Sequence, residues 1–192
     1  MTPIVLAIIE ALCGLIAIAC LLRFIFQATQ VNVHNPVVVS TCNLTDWLLN
    51  PIRSFVPRGR YVDSASLLVA WVVTTGRFIF AELSSRSPLN VQMEPSTTGL
   101  VLASAWDALV QLIRYSIWLF LAAIFLTVVA SWFIRNSSSA YLQLAHEVAE
   151  PLLRPIRKVL PPLGILDLTP AITLFVLLFI LRSIVPWLEG LL

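Results

Sequence analysis

Charge is scarce in this sequence of 192 residues: 12 Lys and Arg and 10 Asp and Glu, together 11% of the chain. A soluble domain carries roughly 25%. That shortage excludes intrinsic disorder, a nucleic-acid binder and an ordinary cytosolic enzyme. The net charge of +2 is too small to argue by itself for an anionic partner. Glycine is also sparse, at six residues, and no phosphate-binding glycine loop, nucleophile elbow or His-Glu-x-x-His pattern occurs. The two histidines, His34 and His146, have no converging set of further ligands around them in sequence. Cys13, Cys20 and Cys42 form no Cys-x-x-Cys pair and read as small buried hydrophobes, with no disulfide expected. No cofactor, metal or enzymatic activity is therefore expected.

What is abundant is apolar surface. Hydrophobic residues make up 59% of the chain, and the mean hydropathy is +0.92. The predicted class is an all-α polytopic membrane protein. Four apolar runs, 4–26, 65–83, 115–134 and 171–188, are each about long enough to cross a ~30 Å hydrocarbon layer. No Lys or Arg precedes the first run, so it reads as a retained span and not as a cleaved signal. The third run is preceded by 99–113, apolar but interrupted by Asp107 and Gln111, with Arg114 at the join. We expect that stretch to be a separate interfacial or partly embedded helix. Residues 84–98 are polar, contain Pro88 and Pro95, and read as a loop.

Basic residues set the orientation. Arg23, Arg53, Arg58 and Arg60 flank or fill the first loop, and Arg135, Arg154, Arg157 and Lys158 the third, which is eight of the twelve. Loops one and three are thus predicted to be cytoplasmic, with both termini outside.

The chain contains an internal repeat with a shift of 104 residues. The first copy of the motif holds Leu48, Leu49, Pro51, Ile52 and Arg53, then Pro57 and Asp63. The second holds Leu152, Leu153, Pro155, Ile156 and Arg157, then Pro161 and Asp167. Between 46–63 and 150–167 seven of 18 positions are identical, and Asp46 faces Glu150. Each half is then span, cytoplasmic amphipathic helix, span. An even number of spans per half makes the halves parallel repeats. The predicted layout is one membrane domain over 1–192. Repeat one covers about 4–83, an outer loop and interfacial helix 84–113, and repeat two about 114–188.

The cytoplasmic segments have helical character. Tyr141, Leu144, Val148, Leu152, Ile156 and Val159 recur every three or four residues. Asn35 followed by Pro36 predicts the start of the corresponding helix in the first half. Pro51 and Pro155 are expected to bend or end their helices. Ala7, Ala11 and Gly14 would permit close helix contact on the first span, and with it self-association.

Two groups of residues are candidates for function. Asp63 and Asp167 sit ten residues after Arg53 and Arg157, where the next span begins, and suit helix caps paired to those arginines. The alternative use of Arg53, Arg58, Arg60, Arg154, Arg157 and Lys158 is to bind anionic lipid headgroups or a partner's carboxylates, at about 1 kcal/mol each. The second group is Glu10, Arg77, Arg114 and Arg182, near the outer ends of the spans. Charges at such depth usually pair or snorkel, and Glu10 is expected to pair with one of the three arginines.

The doubled pattern of span, interfacial segment, Leu-Leu-Arg-Pro-Ile-Arg with downstream Pro and Asp, and span resembles the YggT family of small bacterial integral membrane proteins. The resemblance runs from about Leu21 to Ile184 and includes the stretch from Asp63 to Ala70. Residues 84–98 depart from it, being longer and more polar than usual. It implies an inner-membrane protein with no established enzymatic activity and no catalytic residues to carry over. It also implies links to osmotic or ion stress, with relatives linked to cell division and plastid cytochrome assembly. The expected function is a membrane organiser or assembly factor whose partners are membrane lipids, further copies or other membrane proteins. The alternative is a channel or transporter component, against which stands the lack of a Gly/Pro-interrupted span centre or a midplane acidic residue.

Overall fold

The computed structural model of the chain describes residues 3–54, 56, 63–85, 97–133, 139–159 and 168–191. Among the described residues the chain is all helical, with no strand. Helix α1 is Pro3–Ala28, α2 Pro36–Leu49, α3 Ser64–Ser85, α4 Thr97–Phe133 and α5 Ala140–Val159. The chain closes with α6 Thr169–Phe179, a π-helical turn Ile180–Ile184 and α7 Val185–Glu189. Four stretches are long and apolar enough to span a bilayer: Ile4–Ala28, Ser64–Ser84, Thr97–Ala130 and Thr169–Glu189.

Local chemistry accounts for the helix ends. Asn35 caps α2 by accepting from the Val37 amide, and Pro36 opens the helix where its missing N–H costs nothing. The end of α1 is a Schellman turn: the Val31 amide bonds Phe26 O at 3.0 Å and the Gln30 amide bonds Gln27 O at 3.2 Å. Gln30 holds the left-handed position with φ 55°, a conformation that costs a non-glycine residue roughly 1–2 kcal/mol. Contact between Val31 and Phe26 in the core offsets that cost. In the last span the Val185 amide reaches back five residues to Ile180 O. The opening lies just before Pro186, whose ring cannot follow a regular turn.

Three apolar clusters hold the helices together. One joins α1 and α3 with Leu49 of α2 and Leu112 of α4. A second joins α4, α5, α6 and α7 and contains Ile124, Ala149, Leu153 and Val185. The third crosses between the halves, packing Ile25, Phe26, Val31 and Val38 on Leu144 and Val148 of α5. Beside it the Asn32 amide donates to Glu147 Oε2 at 3.1 Å, and Asn35 Nδ2 donates to Ala140 O at 2.8 Å. Helices α2 and α5, which connect the spans in each half, are therefore joined to one another.

The structure departs from the sequence reading in three places. Residues 99–113 are not a separate helix: α4 is one helix of 37 residues, roughly 55 Å long at ~1.5 Å per residue, unbroken at Arg114. Asp107, Gln111 and Arg114 are spaced by four and three, so they share one face of that helix and do not interrupt it. The expected boundary at 113 accordingly falls inside α4, while α3 ends at Ser85, within two residues of the expected end of repeat one. Second, Pro155 does not end α5, which runs through Pro151 and Pro155 to Val159, whereas α2 ends at Leu49 before Pro51 as expected. Both prolines of α5 are exposed, so the carbonyls they leave without a donor can be solvated. Third, the buried stripe of α5 is Leu144, Ala145, Val148, Ala149 and Leu153, while Tyr141 is exposed. Contact with both α4 and α6 selects a broader face than a narrow seam would. Gly14 makes a close helix contact of the kind expected, with Tyr115 of α4, whose Oη would lie 3.4 Å from a Cβ there.

Candidate functional site

Among the described residues the most built polar site is a cluster of two arginines and two aspartates where α1, α2 and α3 meet. Arg23, near the end of α1, is only 4% exposed. Its Nη1 donates to Asp46 Oδ1 and Thr45 Oγ1, both at 2.8 Å, and to Cys42 O at 3.1 Å. Its Nε lies 3.4 Å from Asp63 Oδ2. Arg53, in the 3-10 turn Ile52–Ser54 that follows Pro51, places Nη2 3.1 Å from Asp63 Oδ2 and Nη1 3.4 Å from Asp46 Oδ1. Asp63 is fully buried and caps α3, accepting from the Ser66 hydroxyl at 2.7 Å and the Ser66 amide at 3.4 Å. The four charges sum to zero, which suits the burial of Arg23 and Asp63, while Asp46 stays partly exposed. The cluster fastens α2 and the turn after it across the ends of two spans.

Burial by itself would raise the Asp63 carboxyl. The Ser66 hydroxyl bond, the Arg53 charge and the Ser66 amide outweigh it and hold the group below the ordinary carboxylate range. A lowered folded value means that Asp63 stabilises the fold above the unfolded value of about 4 and that this contribution is lost as pH falls through the folded value. We expect thermal stability in detergent to drop on acidification below about pH 4, and Asp63→Asn to flatten that acid limb. An unchanged acid limb in the variant would place the acid sensitivity elsewhere.

The expected Arg53–Asp63 pairing is present. Arg23 and Asp46 were missed as members of the site: Arg23 reads in sequence as a flanking charge, and its aspartates are 23 and 40 residues away. The repeat does not flag it either, because the shift of 104 places Arg23 on Thr127, which donates to Ile124 O. In the second half Arg157 Nη1 pairs with Glu150 Oε2 at 3.1 Å, the counterpart of Arg53 with Asp46. Arg154 Nε also bonds Glu150, at 3.2 Å. Asp167, Pro161, Pro57, Arg58 and Arg60 lie outside the described residues.

The basic residues proposed for headgroup or partner contact thus separate in space. Arg53 is taken up by two aspartates, whereas Arg154 and Lys158 are exposed on the outer side of α5. Among the described residues no ion pair or hydrogen bond joins any two of Glu10, Arg77, Arg114 and Arg182. Arg114 pairs with Glu189 and bonds Gln111 Oε1 at 3.3 Å. The arginine of Arg77 lies over its neighbour Phe78, 4.4 Å from the ring centroid. Arg182 is exposed in the π-helical turn. The expected pairing of Glu10 with an arginine is therefore not found: α7 brings Glu189 to Arg114 in its place. His146 Nε2 lies 3.8 Å from Glu150, and among the described residues no three His, Cys, Asp or Glu side chains converge as metal ligands.

The CCB3/YggT family model matches the chain twice, over residues 2–84 and 106–188. Both bounds are displaced by 104 (106 − 2 and 188 − 84), the shift read from the motif. An uncharacterized protein of Haemophilus influenzae is 31% identical over 184 residues, covering 95% of this chain and 92% of that protein. An uncharacterized protein of Pseudomonas aeruginosa is 30% identical over 163 residues, covering 85% and 79%. The uncharacterized protein YggT of Escherichia coli K12 is 28% identical over 162 residues, covering 84% and 78%. No solved structure matches the chain.

Proposed function

The chain belongs to the CCB3/YggT family of membrane proteins, and from that premise we propose that it is a non-catalytic organiser or assembly factor of the bacterial inner membrane. In this reading the two halves are parallel repeats, α2 and α5 face the cytoplasm, and both termini lie outside. The links to osmotic or ion stress and to cell division that the family resemblance implies belong to this proposal.

The observation that carries it is the platform formed by α2 and α5. The two helices share an apolar cluster, and the turn that leads into α2 donates two hydrogen bonds to α5, from Asn32 and Asn35. The Arg23–Asp46–Arg53–Asp63 cluster anchors α2 to the spans, and Ala149 and Leu153 anchor α5. Its outer side presents Gln143, His146, Arg154 and Lys158. A rigid polar face held at one end of a span bundle suits docking of another protein. The buried charges are engaged with each other and so support a structural use more than a transport path.

The test is purification of the tagged full chain in mild detergent, beside Arg154→Gln/Lys158→Gln, with mass spectrometry of companions. The exposed pair is chosen so that the fold is spared. A near-stoichiometric partner is expected, with recovery at least fivefold lower in the variant at unchanged thermal stability. Recovery of the chain alone, together with solute flux when it is reconstituted into liposomes, would replace this reading with a channel or transporter component.

A further inference from the structure

A cavity of about 600 Å³ opens beside the charge cluster, in the elbow between the end of α1 and α2. Its walls include Phe26, Val31, Val38 and Val39, with Cys42 and Arg23 also lining it. The left-handed turn at Gln30 creates the elbow by directing the chain back from α1 into α2. A volume in this range is that of a ligand site and far larger than a packing defect.

The cavity pairs two unlike features. Phe26, Val31, Val33, Val38 and Val39 give it an apolar side, while Gln27, Gln30 and Asn43 join Arg23 on a polar one. Arg23, 96% buried, faces it with capacity to spare. A guanidinium has five N–H donors; Nη1 and Nε serve Asp46, Thr45, Cys42 and Asp63, and Nη2 makes no hydrogen bond to any described residue. Nη2 is not sealed off from the cavity, so it is open to an acceptor on whatever fills it. An occupant that joins an apolar chain to an oxygen acceptor matches both sides. Because Asp46 and Asp63 already balance Arg23 and Arg53, that acceptor need not be charged. The elbow also stands at the end of a helix long and apolar enough to span a bilayer, where acyl chains are at hand.

We propose that this cavity is a lipid-binding site, which takes one acyl chain between α1 and α2 with a lipid oxygen accepting from Arg23 Nη2. An ester or phosphate oxygen of a glycerophospholipid and the carboxylate of a free fatty acid share that chemistry. The site does not depend on the docking role proposed for α5.

Two measurements on the full chain test it. In the first, the protein is reconstituted in phosphatidylethanolamine/phosphatidylglycerol vesicles containing a trace of phosphatidylglycerol with a photoreactive acyl chain, or of photoreactive palmitate. Cross-linked peptides are then mapped. Residues 26–43 are expected to be labelled at least fivefold more per residue than the exposed faces of the spans. Val39→Trp, which fills the cavity, should remove that excess, while Val72→Trp on an exposed face of α3 should not. Even labelling along the spans, or an excess that survives in Val39→Trp, overturns the proposal.

The second measurement needs no variant. Alkylation of Cys42 by N-ethylmaleimide in detergent, followed on its own peptide, should slow at least threefold when phosphatidylglycerol or palmitate is added. An unchanged rate with both overturns the proposal. Protection by one only identifies the source of the acyl chain.

Discussion

Arg23→Met should destabilise the protein by about 3–5 kcal/mol, the cost of leaving one member of a buried ion cluster uncompensated. The substitution keeps the length of the side chain and removes its charge. Asp63, fully buried, then keeps Arg53 and Ser66 but loses the guanidinium Nε beside it. Thr45 and the Cys42 carbonyl lose a donor, and Asp46 loses its 2.8 Å partner. The measurement is thermal unfolding in detergent, read together with the elution profile. The double variant Arg23→Met/Asp63→Asn separates charge imbalance from lost packing, since it removes both an anion and a cation. We expect the double variant to be more stable than the sum of the two single changes by at least 1 kcal/mol, the sign of direct coupling. Additive effects would show that Arg23 acts through packing alone. The exposed Arg154→Gln should lie within about 0.5 kcal/mol of wild type.

The second large effect concerns the doubled Leu-Leu pair. Leu49 and Leu153 occupy equivalent positions, and both are buried, at 0% and 1% exposure. Leu48 and Leu152 are only half-buried. Leu49→Ala and Leu153→Ala should each cost about 2–5 kcal/mol, with Leu48→Ala and Leu152→Ala costing distinctly less in the same unfolding assay. Leu49 sits in the cluster of α1 and α3, and Leu153 in that of α4 to α7, so the two losses should add when combined. If the order within a pair were reversed, the rotation of that helix on its spans would differ from the one described. These variants test the two halves against each other without reference to a partner or ligand.

Much of this was legible in the sequence, for reasons that are local. The runs that became α1, α3 and the last span are apolar over a length set by bilayer thickness, and that signal needs no knowledge of neighbours. Asn35 and Pro36 act within one turn, and the start of α2 follows from them. Arg53 and Asp63 were recognisable as a pair because the same spacing recurs as Arg157 and Asp167. Where the reading went astray, the deciding partner was far along the chain. Asp107 and Gln111 looked like an interruption of an apolar stretch until α4 proved to be one helix with those residues on a single face. Glu10 looked like the natural partner for an outer arginine until Glu189, at the other end of the chain, was found beside Arg114.

The sequence by itself determined the class of protein, the count of apolar spans and the shift of 104 that the family match reproduces, because hydrophobic length and motif spacing are one-dimensional properties. Only the tertiary structure decided that Arg23 closes a buried, neutral charge cluster, that α2 and α5 join across the halves, and that a cavity opens at the elbow of α1. Each depends on side chains that folding brings together from 19 to more than 100 residues apart, and the electrostatic cost of burying a lone charge selects those contacts only once the helices are packed.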